Sequence, residues 1–492
     1  MHYLITAARP ENRFLEIRYT VGEISSRHLE VQLPAWRPGR YELQNFAKNI
    51  RTFSVTDDKG SSISFQKITK DRWRLDTENC RSVTVTYTYY ANQQNAGSSY
   101  IDPALWYLNF INFCLYTEGR IDEPCEIELQ VPENYTIACG LTASAPGRLQ
   151  AKDFYQLVDS PLLASPHLKH LQFESCGTPF HVWFEGLTEF DNDRLLKDFS
   201  AFADAQIAAM GEFPEKEYHF LNLILPTAFY HGVEHRNSTM IVLGPQDEGE
   251  NLYTDLLGVS SHELFHAWNV IRIRPKELLP YDFTRENYFT TCFVAEGCTT
   301  YYGDIFLRRS GVFDDEAYLK ELHVYMKRHF EQAGQAALSL TESSFDLWLD
   351  GYEAGIPQRK VSVYMKGALA ALILDLHIRK ISGHVRSLDN VMQLMWQRFG
   401  KPFTGYSYQD YVSVAEEVAG HALTWYWEEC INGNVPLEAR LNEALAFVGL
   451  EMYHDELAGV MLRNNAGNTE MLNRDMWLGN KTQIPGNPSV CK

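Results

Sequence analysis

The N-terminal part of the chain alternates hydrophobic and polar residues with a period of two. The alternation runs from Tyr3 to about Ser165, in short segments separated by turn residues. Successive side chains of a strand point to opposite faces, so the pattern indicates strands with one buried face. The clearest segments are FLEIRYTV, HLEVQLP, RTFSVTDDKG, SVTVTYTYY and CEIELQVPENY. We therefore predict an all-β, sandwich-like domain over residues 1–165.

The pattern changes beyond residue 165, where apolar strands lead into helices. HVWFEG, HFLNLIL and TMIVLG read as strands, and YTDLLGVSSHELFHAWNVIRI then has helical periodicity. FVAEGCTTYYGDIFLRR, EAYLKELHVYMKRHFEQ and VSVYMKGALAALILDLHIRKISG place apolar residues three and four apart, as amphipathic helices do. We predict a mixed α+β domain over residues 166–400 and a mostly helical region over 401–492. The fold class is therefore α+β and multidomain.

Composition and charge limit the possible partners. Acidic side chains outnumber basic ones, 63 to 44, and the formal charge is −19, which argues against nucleic acid as a partner. The N-terminus lacks a basic segment followed by an apolar run, and the longest apolar stretch, from Ala368, is well short of the roughly 20 residues that span a bilayer. We expect a cytoplasmic protein without a membrane partner, and the sequence leaves the oligomeric state open.

Residues 262–266 read HELFH, which is the HExxH pattern. Residues four apart on a helix lie one turn apart on the same face, so one zinc ion can bind both His262 and His266. Catalytic zinc takes three protein ligands and keeps water in the fourth position, where Glu263 is placed to act as general base. A helix whose two histidines only make hydrogen bonds is the alternative at this stage.

A third metal ligand is expected from a neighbouring helix. Glu296, in FVAEGCTTYY, lies in an apolar setting where an unpaired carboxylate is strongly unfavourable and where a metal would compensate its charge. The chain between His266 and Glu296 is long enough for a loop and a helix that returns antiparallel to the first. Asp255, Asp282 and Glu286 remain alternatives.

Several motifs, taken together, resemble a known family. HELFHAWN followed by AEGCTTYYGD is similar to the paired motifs of the glycyl aminopeptidase family, zinc peptidases of the thermolysin-like, glutamate-liganded group that includes aminopeptidase N. LPAWRPGRYELQNFAKNI, HGVEHRNST and VYMKGALAALILDLHIR resemble the family's other landmarks in the same order. The resemblance implies a thermolysin-like catalytic domain with zinc ligands His262, His266 and Glu296 and the general base Glu263.

Two further residues take a role from the resemblance. Tyr364 opens the YMKG motif, and the tyrosine at that place in related aminopeptidases supports the tetrahedral intermediate. Glu234, in HGVEH, corresponds to the segment that recognises the substrate α-amino group in aminopeptidase N. A carboxylate that pairs with this ammonium makes a peptidase an exopeptidase, because only a chain end carries the charge.

The sequence departs from the family pattern at two places. His231 stands where a small residue is more usual, and no PDZ domain follows the helical region. A bulkier side chain at residue 231 narrows or redirects the pocket for the first substrate residue. The resemblance therefore supports the family's catalytic chemistry more strongly than its substrate specificity.

The sequence as a whole predicts an aminopeptidase with one zinc ion. We expect it to hydrolyse the N-terminal bond of peptides that have a free N-terminus and a small first residue, glycine or alanine, with Glu263 activating the zinc-bound water. Two alternatives remain open: a zinc endopeptidase, in which Glu234 binds no amine, and a noncatalytic zinc protein that binds peptides or proteins.

Overall fold

The computed structural model describes residues 1–186, 189–353 and 355–479. Residues 480–492 of the predicted helical region lie outside the described residues, as do 187, 188 and 354 of the predicted catalytic domain. The predicted fold class is confirmed: an all-β part comes first, then a mixed part, then a mostly helical part. The domain boundaries at 165 and 400 stay predictions.

The N-terminal part consists almost entirely of strands. They are β1 (His2–Thr6), β2 (Phe14–Val21), β3 (His28–Gln32), β4 (Ile50–Asp57), β5 (Phe65–Thr69), β6 (Arg72–Asp76), β7 (Val83–Tyr90), β8 (Tyr100–Ile101), β9 (Trp106–Leu108), β10 (Tyr116–Thr117), β11 (Cys125–Leu129), β12 (Thr136–Cys139), β13 (Thr142–Ala145), β14 (Arg148–Ala151) and β15 (Leu162–Ser165).

These strands form three sheets around one apolar core. The largest sheet has seven strands in the order β13-β14-β11-β1-β2-β7-β4, and the two smaller sheets have the orders β10-β3-β6-β5 and β12-β15-β9-β8. Alternate residues of β2 and β7 are buried, as the period-two pattern requires. Ile17 and Val85 of the large sheet share a core with Val31 of the second sheet, which gives the predicted sandwich-like packing.

The central part is built on a five-stranded mixed sheet. Its strands are β16 (Lys169–Ser175), β17 (Thr178–Glu185), β18 (Tyr218–Ile224), β19 (Phe229–Glu234) and β20 (Ser238–Gly244). Their order is β16-β17-β18-β20-β19, and β17, β18 and β20 run parallel. Strand β19 pairs antiparallel with β20 and forms one edge of this sheet.

Helices cover the central sheet and form most of the rest of the described chain. They are α1 (Phe154–Val158), α2 (Asn192–Met210), α3 (Glu250–Phe265), α4 (Thr299–Ser310), α5 (Asp315–Phe330), α6 (Leu340–Phe345), α7 (Leu347–Asp350), α8 (Val363–Ser382), α9 (Leu388–Met395), α10 (Tyr408–Ala419), α11 (Glu438–Ala446) and α12 (Asn468–Leu478). Wider π-helical turns span Phe293–Cys298, Trp396–Gly400 and Tyr426–Ile431.

Helix α8 lies at the centre of the helical part. Its buried residues from Ala368 to Leu376 explain why this segment is the most apolar of the chain, and α4, α5 and α11 pack around it. A hairpin of β21 (Leu450–Asp455) and β22 (Gly459–Asn464) interrupts the C-terminal helices. Within the described part of the chain, no helix is both long enough and apolar enough to cross a bilayer.

The N-terminal and central parts are joined by direct contacts. The indole nitrogen of Trp36 donates to the Asp282 carbonyl at 2.7 Å, and the amide of Ala35 donates to the Phe283 carbonyl at 2.8 Å. Phe283 is buried within the N-terminal core. The loop that starts at Ala35 is thereby held against the central part of the molecule, where the candidate site lies.

Candidate functional site

Helix α3 brings the two histidines of the HELFH motif together. The helix ends at Phe265, and His266 keeps helical backbone angles at its end (φ −61°, ψ −21°). His262 and His266 therefore lie on one face, with their Nε2 atoms 3.1 Å apart. The imidazole of His266 is buried, and its Nδ1 is 2.8 Å from the carbonyl oxygen of Asn269. That hydrogen bond requires a proton on Nδ1, so Nε2 is the nitrogen that can bind a metal.

Glu296 reaches the same point from a π-helical turn. Its Oε2 lies 3.7 Å from Nε2 of His262 and 3.3 Å from Nε2 of His266. The turn packs closely on α8, because a side chain at Gly297 would lie 2.8 Å from the Cα of Gly367. Two facing glycines thus allow the Glu296 backbone to approach α8, and a π turn of this kind is frequent at functional sites.

The three ligand atoms fit a zinc ion. Zinc binds nitrogen and oxygen at 2.0–2.2 Å in a tetrahedron, which places neighbouring ligand atoms about 3.3 Å apart. The separations here are 3.1, 3.3 and 3.7 Å. Asp255, Asp282 and Glu286 belong to no metal-binding group among the described residues. The geometry thus brings together the three residues expected as ligands.

The charges of the site also favour binding of a cation. Burial works against ionisation of Glu296, yet the positive charge of His266 and the hydrogen bonds from both histidines lower the pKa of Glu296 to about 2. Burial favours the neutral imidazole of His266, yet the negative charge of Glu296 raises the pKa of His266 to about 10. A divalent cation would supply positive charge in place of this proton and would compete with it for Nε2.

Glu263 lies directly beneath strand β19. A side chain at Gly232 of that strand would lie 2.2 Å from Oε1 of Glu263, so the carboxylate occupies the space that a glycine leaves. Among the described residues, Oε2 of Glu263 is buried without a hydrogen-bond partner. Burial and the nearby negative charges of Glu234 and Glu296 raise the pKa of Glu263 well above its usual range. The carboxylate form of Glu263 therefore has a high affinity for a proton.

Glu234, at the end of β19, adds a second buried carboxylate. Ligand atoms of Glu234, Glu263 and His266 all lie within 4.8 Å of one another. The loop of the N-terminal part approaches from the other side, since a side chain at Gly39 would lie 2.5 Å from Oε2 of Glu234. Gly39 has φ +77°, a backbone conformation that glycine adopts most easily. Burial raises the pKa of Glu234 to about 7.

Tyr364 lies in the first turn of α8. It is partly buried and packs against a small hydrophobic cluster that includes Trp36 and Tyr41 of the N-terminal loop. Burial and the negative charge of Glu296 raise the pKa of Tyr364 well above its ordinary value, so the phenol stays neutral and can donate a hydrogen bond. The structure thus places this tyrosine near the charge of Glu296, and its role stays a prediction.

His231 is held by the N-terminal part. The backbone amide of Ala96 donates to its Nδ1 at 3.3 Å, so the ring proton is on Nε2. Burial, together with the positive charges of Arg37 and Arg40, lowers the pKa of His231 to about 3 and keeps the ring neutral. The side chain at this unusual position is therefore a fixed, uncharged part of the wall beside β19.

Sequence reasoning missed four residues that shape the site. Gly39, Gly232 and Asn269 act through their small size or their backbone, while Arg37 is a buried arginine whose positive charge acts on Glu234. The sequence feature that could have drawn attention to Arg37 is its position directly before Pro-Gly in a largely apolar segment.

Two family models match the chain. Residues 2–166 match the Peptidase M61 N-terminal domain, and residues 255–370 match the M61 glycyl aminopeptidase model. The second range contains His262, Glu263, His266, Glu296 and Tyr364. None of the curated proteins compared with the chain matches it.

Solved structures agree with the family models. An aminopeptidase N family protein from Idiomarina loihiensis is 30% identical, with a TM-score of 0.86 over 92% of this chain and 79% of that chain. An M1 zinc metallopeptidase from Deinococcus radiodurans, crystallised with a Tyr-Ser-Ala substrate, has a TM-score of 0.54 over 88% of this chain and 94% of that chain, and at 14% identity it shows the fold alone. From its family models and its similarity to the Idiomarina structure, the chain belongs to the M61 glycyl aminopeptidase family of zinc metallopeptidases.

Proposed function

We propose that the protein is an aminopeptidase with one zinc ion that removes an N-terminal glycine or alanine from peptides. His262, His266 and Glu296 hold the metal, Glu263 is the general base, Glu234 binds the free amine and Tyr364 donates to the oxyanion. The observation that carries the proposal is the group of Glu234, Glu263 and His266, whose ligand atoms lie within 4.8 Å of one another.

The ligand set supports hydrolysis rather than a purely structural site. When bound, zinc supplies a Lewis acid that polarises a carbonyl and lowers the pKa of water to about 7. A structural zinc site is closed by a fourth protein ligand, whereas here two histidines and one glutamate form the group among the described residues. A fourth position stays open for substrate.

Proton transfer falls to Glu263. Its unpartnered Oε2 faces no protein donor within the described residues, so the carboxylate can accept a proton from the attacking water and pass it to the leaving amine. Tyr364 remains a neutral donor, and a single such donor to an oxyanion contributes about 10²–10³ in rate.

Glu234 accounts for the choice of an N-terminal bond. A buried carboxylate pairs strongly with an ammonium group, and its fixed separation from the metal ligands sets the cut after one residue. The space around this carboxylate is narrow, because Gly39 lies against it. This close approach favours a first residue with a small side chain. His231 lies three residues earlier on β19, so its side chain points to the opposite face of the strand.

The test uses matched substrates. Hydrolysis of glycyl and alanyl amides is compared with that of leucyl amide, the N-acetylated glycyl and alanyl compounds and an internal peptide, with and without chelator. We expect cleavage only of free amines, preference for glycine and alanine, and loss of activity with chelator. Equal cleavage of the acetylated compounds would identify an endopeptidase, and zinc-loaded protein that cleaves none of them would identify a noncatalytic protein.

Variants assign the two carboxylates. Glu263→Gln should bind zinc normally and lose turnover, while Glu234→Gln should raise KM for free amines. Glu456→Gln, at an exposed carboxylate in the turn between β21 and β22, is the control and should behave as wild type. Wild-type turnover in Glu263→Gln would rule out its role as general base.

A further inference from the structure

A cavity of about 350 Å³ lies where the N-terminal part meets the central part. One side is formed by the N-terminal part, including Arg37, Ile111 and the segment 152–159. The other side is formed by His235, Arg236, Arg272, Arg274 and the segment 279–283. Tyr155, Tyr281 and Phe283 give it an aromatic wall. The metal-binding group uses none of these residues.

The cavity is positively charged in an acidic protein. Of the described residues that line it, five are cationic and two are carboxylates, although the whole chain has a formal charge of −19. The cationic residues are Arg37, Lys152, Arg236, Arg272 and Arg274, and the acidic ones are Asp153 and Asp159. A positively charged cavity with apolar walls favours binding of an anion that carries an apolar group.

Within the described part of the chain, Arg37 and Arg274 form no ion pair with an acidic side chain, whereas the other two arginines do. Arg236 and Arg272 both contact Glu215, at 2.8 and 3.3 Å. Arg274 donates to the carbonyls of Val270 and Ile271, and its guanidinium lies over the Tyr281 ring.

Of Arg37 and Arg274, Arg37 has the more unusual environment. It is 2% exposed and donates only to the carbonyl of Pro38, and its Nη1 has no partner among the described residues. A buried, unpaired guanidinium is unfavourable, and a bound carboxylate would satisfy it with paired hydrogen bonds. Gly97 leaves room for this side chain, because a Cβ there would lie 1.8 Å from Nη1.

The cavity adjoins the position assigned to the substrate amine. His235, which lines the cavity, directly follows Glu234, and the charges of Arg37 and Glu234 act on each other. On the metal side, the amide of Ile271 donates to the carbonyl of His266 at 3.2 Å. The cavity thus borders both the end of β19 that carries Glu234 and the segment that follows His266.

We propose that this cavity binds the C-terminal carboxylate of the substrate through Arg37 and Arg274, so that the preferred substrates are short peptides with both ends free. The inference rests on the proposed function and adds the second end of the substrate to it. The opposite charges of Glu234 and of the two arginines match the two charged ends of such a peptide, and the aromatic wall packs against its last side chain.

The test compares trialanine with trialanine amide, which differ only in the C-terminal charge. We expect kcat/KM to favour the free acid by about tenfold or more, as charge-assisted hydrogen bonds allow. Arg37→Gln and Arg274→Gln should each remove most of this preference through KM. Alanine amide, which is too short to reach the cavity, reports on whether each variant keeps an intact catalytic site.

A binding measurement makes the test independent of turnover. Titration of the Glu263→Gln protein with the same two peptides should give tighter binding of the acid, and the difference should vanish when Arg37→Gln is added. Arg440→Gln, at a partly buried ion pair with Glu429 outside the cavity, serves as the control and should retain the preference.

The two proposals fail in different ways. Equal kcat/KM for acid and amide in the wild-type enzyme would overturn the carboxylate site and leave the aminopeptidase intact. An unchanged acid preference in both arginine variants would also overturn it. Failure to cleave any free amine, including alanine amide, would instead refute the proposed function.

Discussion

The contact between Gly232 and Glu263 shows how one missing side chain positions a reactive group. The carboxylate lies where a β-carbon at residue 232 would be, and the nearest atom of Val259 lies only 2.7 Å from that point. Neither the helix nor the strand can move easily, since α3 packs on β19 and β20. A side chain at this position therefore displaces the carboxylate first.

We predict that Gly232→Ala lowers kcat/KM at least about 10²-fold, because a general base moved by about 1 Å loses its alignment. Zinc content should stay at the wild-type level, since the ligands themselves are unchanged. The control is Gly258→Ala in α3, where a β-carbon would meet nothing within 4 Å. Full activity in Gly232→Ala would show that the carboxylate is not confined as described.

Tyr364 offers a second test at a single atom. Tyr364→Phe removes one hydroxyl and keeps the ring that packs against the hydrophobic cluster. We predict a fall in kcat of about 10²–10³ with little change in KM or thermal stability, as expected for a donor that acts in the transition state. Tyr453→Phe in the C-terminal hairpin is the matched control, and a fall in KM and kcat together would argue against this role.

At the level of elements, Asn269 ties the two ligand-bearing segments together. Its side-chain nitrogen donates to the carbonyls of Val294 and Ala295 at 2.7 and 3.2 Å, and its own carbonyl oxygen accepts from His266. The residue is fully buried. The turn after α3 and the π turn of Glu296 are thereby fixed relative to each other.

We predict that Asn269→Ala weakens zinc binding about 10- to 100-fold, the usual effect of losing a group that orients metal ligands. Competition with a chromophoric chelator measures the dissociation constant directly. Asn251→Ala, at an exposed asparagine at the start of α3, should leave it unchanged. Wild-type affinity in Asn269→Ala would mean that the backbone alone orients His266.

At the level of the whole molecule, the N-terminal part is a structural component of the site. Asp159, just after α1, accepts from the ring of His235 at 2.9 Å and from the amide of Arg236 at 3.1 Å. These two residues follow Glu234 directly along the chain. The position of the Glu234 carboxylate thus depends on a contact between the two parts.

We predict that Asp159→Ala destabilises the fold by about 2 kcal/mol, because it leaves a buried imidazole and a backbone amide without their partner. Chemical denaturation measures this change, and KM for free amines should rise as the end of β19 loosens. Asp193→Ala, at an exposed site in α2, is the control. Unchanged stability and KM would show that the two parts do not support each other at this point.

The sequence predicted what depends on local pattern. Strand β2 matches the segment FLEIRYTV residue for residue, and the spacing of His262 and His266 placed them on one helical face. The chain pattern did not reveal that α3 ends at Phe265, because the apolar periodicity continues beyond it and the ending depends on tertiary contacts of Asn269. The prediction of Glu296 as the third metal ligand depended on the family resemblance, since its apolar setting alone did not exclude other carboxylates.

Contacts between distant segments lay beyond sequence reasoning. Gly39 and Ala96 meet Glu234 and His231 across more than a hundred residues of chain, and no periodicity connects them. The importance of Arg37 is visible only in the structure, where its Nη1 has no hydrogen-bond partner among the described residues. Physical patterns along a chain report which face of an element is buried, but they do not report which other element covers it.

The approach of Gly39 to Glu234 has a consequence for protein engineering. In the proposed function, the wall of the pocket for the first substrate residue is formed jointly by β19 and by a loop of the N-terminal part, because Gly39 approaches Glu234. A mutant library that varies only β19 changes one side of this wall. The larger side chain of a bulkier substrate would still contact the N-terminal loop on the other side. Redesign of the enzyme for bulkier first residues therefore has to vary residues 36–40 and 231–234 together.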